Sequence, residues 1–133
     1  MSRPVKRGVG QESAANARIL KRYQLRYREM AARLSQVGFL WHGSIHARWL
    51  TCGRADCPCA KDPQARHGPY IYWTSKENGR SVARLLHSPE AEILAKWVRN
   101  RQELEKTLGA MKKLSQKALA VVLRMSVGTM PKQ

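Results

Sequence analysis

The sequence predicts an α+β fold, a small three-stranded antiparallel sheet flanked by two long helices in the order α-β-β-β-α. Two apolar stripes with helical spacing bracket a central stretch whose period drops to two residues, and an Asn-Gly turn signal separates the last two strand-like runs.

The elements follow in order. Residues 1–12 hold Gly, Pro, Arg3, Lys6 and Arg7 with no apolar period, and read as a flexible basic arm. Helical periodicity begins behind Ser13, an N-cap residue type. Leu20, Tyr23, Tyr27, Met30, Leu34 and Val37 then recur at steps of three and four, up to Gly38 in the place of a C-cap glycine. The other faces of this helix carry Arg18, Lys21, Arg22, Arg26, Arg28 and Arg33 against Glu29. From Gly43 to Leu50, Ile45, Ala47 and Trp49 alternate with Ser44, His46 and Arg48, which predicts the first strand. Residues 51–68 read as a loop. Tyr70 to Thr74 is rich in β-prone residues, Glu77-Asn78-Gly79 marks a hairpin turn, and Ser81 to Leu86 reads as the return strand.

Ser88 as cap and Pro89 in the first helical position open the second helix. Its predicted seam is Leu94, Trp97, Arg101, Leu104, Leu108, Met111 and Ser115, and the helix is expected to run to about Leu114, although Gly109 weakens its last turns. Ala118 to Met125 reads as a separate short helix. The expected organisation is an arm at 1–12, a single α+β domain at 13–125 and a disordered tail at 126–133. The two seams suggest an antiparallel helix pair, with a homodimer through the same stripes as the alternative.

Composition narrows the function. The 133 residues carry 25 Lys and Arg against 9 Asp and Glu, a formal charge of +16. Such an excess repels itself in a folded domain and is tolerated mainly when a polyanion neutralises it. Arg outnumbers Lys, and its planar fork suits phosphates and base edges. Nucleic acid, DNA or RNA, is therefore the expected partner. No apolar run reaches 18 residues, so no membrane span is expected, and no signal-peptide core follows the basic N-terminus. The three cysteines all lie between Cys52 and Cys59, an odd number in one short loop, which predicts reduced thiols and a cytoplasmic location over a disulfide framework.

That loop has the spacing C-x4-C-x-C-x7-H over Cys52, Cys57, Cys59 and His67. Zinc takes four soft or borderline ligands in a tetrahedron, and a short loop supplies them with little closure entropy. Arg48, Arg54, Lys61 and Arg66 around it favour thiolate over thiol. A Cys3His zinc site is the leading expectation, with His46 as an alternative fourth ligand. Metal-free thiols and an iron–sulfur cluster are the competing readings.

The run from CGRADCPCA to RHGPYIYWTSKENGRSVARLL resembles an uncharacterised bacterial family of small basic proteins. Its members share a Cys-rich loop, an HGPY-type segment, a Gly-Arg or Gly-Lys hairpin and a following helix. The resemblance spans Gly43 to Ser115 and is sharpest at Cys52, Cys57, Cys59, His67, Gly68, Pro69 and Tyr70; it implies no activity. The order of elements is also similar to arm-type DNA-binding domains of tyrosine recombinases, which implies a sheet docked in a groove and carries over no residue.

Within the sheet, Arg48, Tyr70, Tyr72, Trp73, Lys76, Arg80 and Arg84 interleave cations with aromatics, a pattern suited to stacking on bases and bonding phosphates. The expected nucleic-acid contacts are Arg48, Arg54, Arg66, Tyr72, Lys76, Arg80 and Arg84 together with the helix cations, Arg18 to Arg33. For each aromatic, a place in the core is the competing reading. The sequence has no P-loop, G-x-S-x-G, H-E-x-x-H or deaminase H-x-E pattern, and Asp56 and Asp62 have no carboxylate partner at a productive spacing. A Cys-based redox or nucleophilic role stays open. The expectation is thus a nucleic-acid-binding protein with a structural zinc, an accessory factor of a mobile element or a regulator, in a homodimer or larger nucleoprotein complex. The alternative is a protein-interaction adaptor assembling through its helices.

Overall fold

A computed structural model describes residues 9–127, and of Val9 the backbone alone. The order is α1 (Val9–Leu34), β1 (Ser44–Leu50), two short 3-10 turns (Pro58–Ala60 and Pro63–Ala65), β2 (His67–Glu77), β3 (Arg80–Leu86) and α2 (Glu90–Ser126). This is the predicted α-β-β-β-α order, with the Cys/His loop between β1 and β2. The chain divides into two compact units, Gly38–Glu103 and the flanking segments up to Val37 and from Leu104 onward.

In the first of these units, β2 is the central strand, antiparallel to β1 on one side and β3 on the other. Asn78 and Gly79 both take positive φ, 52° and 78°, so the two-residue loop is the primed turn whose twist matches the flanking strands. One face of the sheet is buried. Trp73 and Leu86 pack with Ala91, Leu94 and Val98 from the first turns of α2, and Ile45, Ile71, Val82 and Trp97 close around them. The Trp73 indole N–H donates to the His42 carbonyl at 2.8 Å, which satisfies its one polar atom inside the core.

Arg101 read as a polar interruption of the α2 seam, and its partners explain it. Its Nε donates to the Trp41 carbonyl at 3.0 Å and its Nη2 to the Gly43 carbonyl at 2.8 Å. Asn100 Nδ2 donates to the Phe39 carbonyl at 2.9 Å. In the irregular segment 39–43, which has no strand partner, α2 side chains satisfy the carbonyls of Phe39, Trp41 and Gly43 instead.

In the other unit, α1 and the later part of α2 run antiparallel, as expected. Tyr23 and Tyr27 share a cleft with Leu114 and Ala118, and Ala15 and Ile19 share another with Val127. Leu20, Tyr23, Met30, Leu34 and Val37 of the first seam are half-buried and Tyr27 is exposed.

Several boundaries differ from expectation. α1 begins at Val9, so Ser13 is inside the helix and does not cap it; residues 1–8 of the expected arm lie outside the described residues. α1 stops at Leu34, and tight bonds from Ser35, Gln36 and Val37 back to the third preceding carbonyl end it. Gly38 therefore caps nothing, and its missing side chain leaves room for Asn100, whose Nδ2 would lie 3.0 Å from a Cβ there. α2 is one helix through Ser126 where two were expected. Gly109 is exposed and costs too little to end it, and Ser115 bonds the Met111 carbonyl without breaking the ladder. Of the predicted α2 seam, Leu94 and Met111 are buried and Trp97, Arg101 and Leu104 half-buried, but Leu108 and Ser115 are exposed, and Val98, Leu114 and Val121 outside that seam are buried.

Candidate metal centre and the sheet face beside it

The loop after β1 is shaped by local bonds. Cys57 N–H closes a turn onto the Arg54 carbonyl, and Ala60 N–H closes the next onto the Cys57 carbonyl. Pro58 starts the first 3-10 turn, and the Asp62 carboxylate caps the second by accepting from Gln64 N–H at 2.9 Å. Asp62 is thereby accounted for as a cap. These turns fold Cys57 and Cys59 back over Cys52.

His67 reaches the same point through a bulge. Arg48 pairs with Tyr70, but Leu50 pairs with His67, so β2 holds one more residue than β1 across this step. Strict alternation from Trp73 and Ile71 would put residue 67 on the buried face; the extra residue moves it to the opposite one. Gly68 makes the bulge possible. Its φ is +141°, and a Cβ would lie 2.7 Å from the Arg48 carbonyl oxygen.

Cys52, Cys57, Cys59 and His67 thus come together, with their ligand atoms all within 4.8 Å of one another. Cys52 Sγ and Cys59 Sγ are 3.5 Å apart, and Cys57 Sγ lies 3.4 Å from His67 Nε2. Tetrahedral zinc, with bonds of about 2.3 Å to sulfur and 2.0 Å to nitrogen, separates its ligand atoms by about 3.5–3.8 Å. The two close pairs need small outward movements to seat an ion of that size and any pair near the 4.8 Å limit a closing one, and the cluster can hold a metal ion. His46, the alternative ligand, pairs across the sheet with Tyr72 and is not in the cluster.

The thiols differ. The Cys57 thiol is lowered to about 6, first by the Cys59 backbone N–H, then by the Cys59 side chain and His67. Cys59, the buried cysteine, is raised: the Cys52 N–H donating at 3.4 Å pulls it down, but burial and the neighbouring sulfurs outweigh that. A cluster with one ready thiolate beside a buried thiol that resists ionising suits capture of a cation.

The expected nucleic-acid residues separate by face. Pairing and alternation put Ser44, His46, Arg48 and Leu50 of β1, Tyr70, Tyr72, Thr74 and Lys76 of β2, and Ser81, Ala83 and Leu85 of β3 on the open face. Arg48 and Lys76 are exposed there, and the Arg48 guanidinium carbon lies 4.9 Å from the Tyr72 ring centroid. Arg80 and Arg84 belong to the other face. Arg84 pairs with Glu90 and sits 5.9 Å from the Trp73 ring. Arg54 and Arg66 are exposed in the metal loop. On α1, Arg18, Lys21, Arg22, Arg26, Arg28 and Arg33 are all exposed and, at 3.6 residues per turn, fall on an arc of about 160° opposite the apolar stripe.

Sequence reasoning missed Leu50 and Leu85 as site residues. With Tyr70, Tyr72, Cys52 and His67 they line a cleft of about 230 Å³ next to the cluster. The signal was the alternation of β3 against β2, unusable until the hairpin register was known. No helix among the described residues is long and apolar enough to cross a membrane.

Residues 17–95 match the domain of unknown function DUF6788, more than half of the chain, and the chain belongs to that family. No curated protein and no solved structure matches it.

Proposed function

We propose that this DUF6788 chain is a nucleic-acid-binding protein whose Cys52, Cys57, Cys59 and His67 hold a structural Zn2+. One observation carries the binding half: six cations of α1 are exposed on the arc away from its apolar stripe, in a chain of net charge +16. Like charges held this close are costly unless phosphates neutralise them. The donor set supports zinc among metals, because thiolates with one imidazole in a closed four-ligand cluster suit a structural zinc site. The ion would tie the β1–β2 loop to the bulge of β2 and would take no part in any reaction. An accessory role in a mobile element or in gene regulation, in a cytoplasmic nucleoprotein complex, fits this reading.

The test is a binding titration of zinc-loaded protein against DNA and RNA at increasing salt. With about 5–8 phosphates contacted, the log–log slope is about −4 to −7. Arg22→Glu with Arg26→Glu lowers affinity on every sequence and flattens the slope. No binding at near-physiological salt and tens of micromolar protein, on the order of the weakest non-specific affinities, rejects the proposal. The second reading, an adaptor assembling through its helices, is favoured by the exposed Leu119, Leu123 and Val127 of the later chain, 57%, 52% and 78% accessible. It predicts salt-insensitive self-association.

A further inference from the structure

We infer that the open face of the sheet takes single-stranded nucleic acid, with unpaired bases on Tyr70 and Tyr72 and in the adjoining cleft; this rests on the nucleic-acid reading above. The first observation is chemical. The open-face positions of the three strands include no acidic residue, while Arg48 and Lys76 supply cations and Ser44, Thr74 and Ser81 supply hydroxyls. The second is the shape. The cleft of about 230 Å³ beside Tyr70 and Tyr72 is lined also by the apolar Leu50 and Leu85 and by Cys52 and His67 of the cluster.

Tyr70 and Leu85, each 38% accessible, and Leu50 at 41% leave an apolar surface in water on a face where strand alternation ordinarily places polar residues. The opposite face already supplies the core, so this surface is not needed to close it.

Paired bases present only their edges, whereas flat rings and an apolar recess gain contact from the faces of unpaired ones. Tyr70 and Tyr72 stand on the same face about 7 Å apart along β2, so an extended strand lying along β2 meets them in succession. Arg48, already over the Tyr72 ring, is placed to add its charge to a stacked base or its phosphate. A folded-over protein segment would equally enjoy the apolar lining, but an uninterrupted lack of acids beside cations selects a polyanion.

The experiment measures fluorescence anisotropy of zinc-loaded protein with a mixed-sequence strand of about twelve nucleotides, within the range of single-strand site sizes, and with a hairpin duplex of equal phosphate number at the same salt. The strand is expected to bind at least about tenfold tighter than the duplex, and Tyr72→Ala to weaken the strand about tenfold or more while leaving the duplex unchanged. Tyr72→Phe keeps the strand affinity. Because Tyr72 is half-buried, exposed Tyr70→Ala repeats the measurement, and photocrosslinking of a halogenated-uracil strand to wild-type protein locates the contact without any substitution. Crosslinks on Tyr70 or Tyr72 support the inference. Equal affinity for strand and duplex with crosslinks confined to α1 overturns it and leaves nucleic-acid binding standing. Absence of binding to either probe overturns both.

Discussion

Gly68→Ala tests whether the bulge of β2 is what delivers His67 to the cluster. In the native chain residue 68 holds φ at +141°, and an added Cβ would sit 2.7 Å from the Arg48 carbonyl and 3.1 Å from the Tyr70 nitrogen. Both neighbours are backbone, so neither can swing away. Holding a non-glycine residue in that region costs about 1–3 kcal/mol before the contacts are counted. The chain can relieve the strain by letting the bulge slip, which returns residue 67 toward the buried face and removes the imidazole from Cys57. If the strain falls on the four-ligand state, each 1.4 kcal/mol is about a factor of ten, so zinc affinity drops about tenfold to a hundredfold. Competition against a chromophoric zinc chelator at fixed pH reads this directly. Gly109→Ala is the control: it adds the same methyl where nothing lies within 4 Å. Gly68→Ala with wild-type zinc affinity and wild-type melting temperature would refute the role given to the bulge.

Further outcomes follow from the same geometry. Gly109→Ala raises stability by about 0.5–1 kcal/mol, since a helical glycine is costly and the site is open, and a lowered melting temperature would contradict a continuous α2. Val98→Ala, at 1% exposure, costs about 2–3 kcal/mol and about 10 °C in melting temperature. Arg101→Leu removes donors from the Trp41 and Gly43 carbonyls and costs about 1–3 kcal/mol, whereas a merely exposed arginine would cost almost nothing. In metal-free protein, alkylation mapped by mass spectrometry finds Cys57 half-reactive near pH 6, with Cys59 inert until well above it. A depressed thiol stabilises the fold fully above its ordinary value near 9 and loses that contribution as pH falls through about 6, so the metal-free protein weakens on that acid limb. Cys57→Ser removes the limb and the stoichiometric zinc together; a double Cys57→Ser, Cys59→Ser variant that kept stoichiometric metal would end the assignment.

The element order was legible because each signal was local. The switch of period at Gly43, the Asn-Gly turn and the Ser-Pro-Glu start before Ala91 each depend on a few residues, and the strands and α2 begin within three residues of where those signals put them. The ends of α1 and the course of α2 were not legible. Ser13 has the chemistry of a cap and Gly38 that of a stop, but four helical residues precede the one and the helix has ended before the other. The α2 seam drifted because Trp97 and Val98 are adjacent and both apolar. Val98 and Leu114 are 16 residues apart, about 160° around the helix, so no single stripe holds both; the first turns of α2 bury Leu94 and Val98 with Trp73 and Leu86, and the later turns bury another face through Leu114 and Val121.

The candidate site divides along the same line. Ligand chemistry and spacing named Cys52, Cys57, Cys59 and His67, because a loop this short leaves few ways to keep its donors apart. Which face those donors occupy was beyond reach, since it turns on one extra residue in β2. Period-two reasoning from Trp73 assigns His67 to the core; the Leu50–His67 pairing assigns it to the open face, beside Tyr70 and Tyr72. A separate uncertainty, the register of the hairpin, scattered the arginines. Arg80 and Arg84 looked equivalent to Arg48 by composition, but register places them behind the sheet, where Arg84 meets Glu90. That register runs without a break from the Asn78-Gly79 turn, so a shift of one residue in the bulge would leave the arginines in place and move His67 alone. Gly68, which no list of charged or metal-binding residues would include, therefore decides on which face His67 stands, and so whether Tyr70 and Tyr72 are next to the cluster.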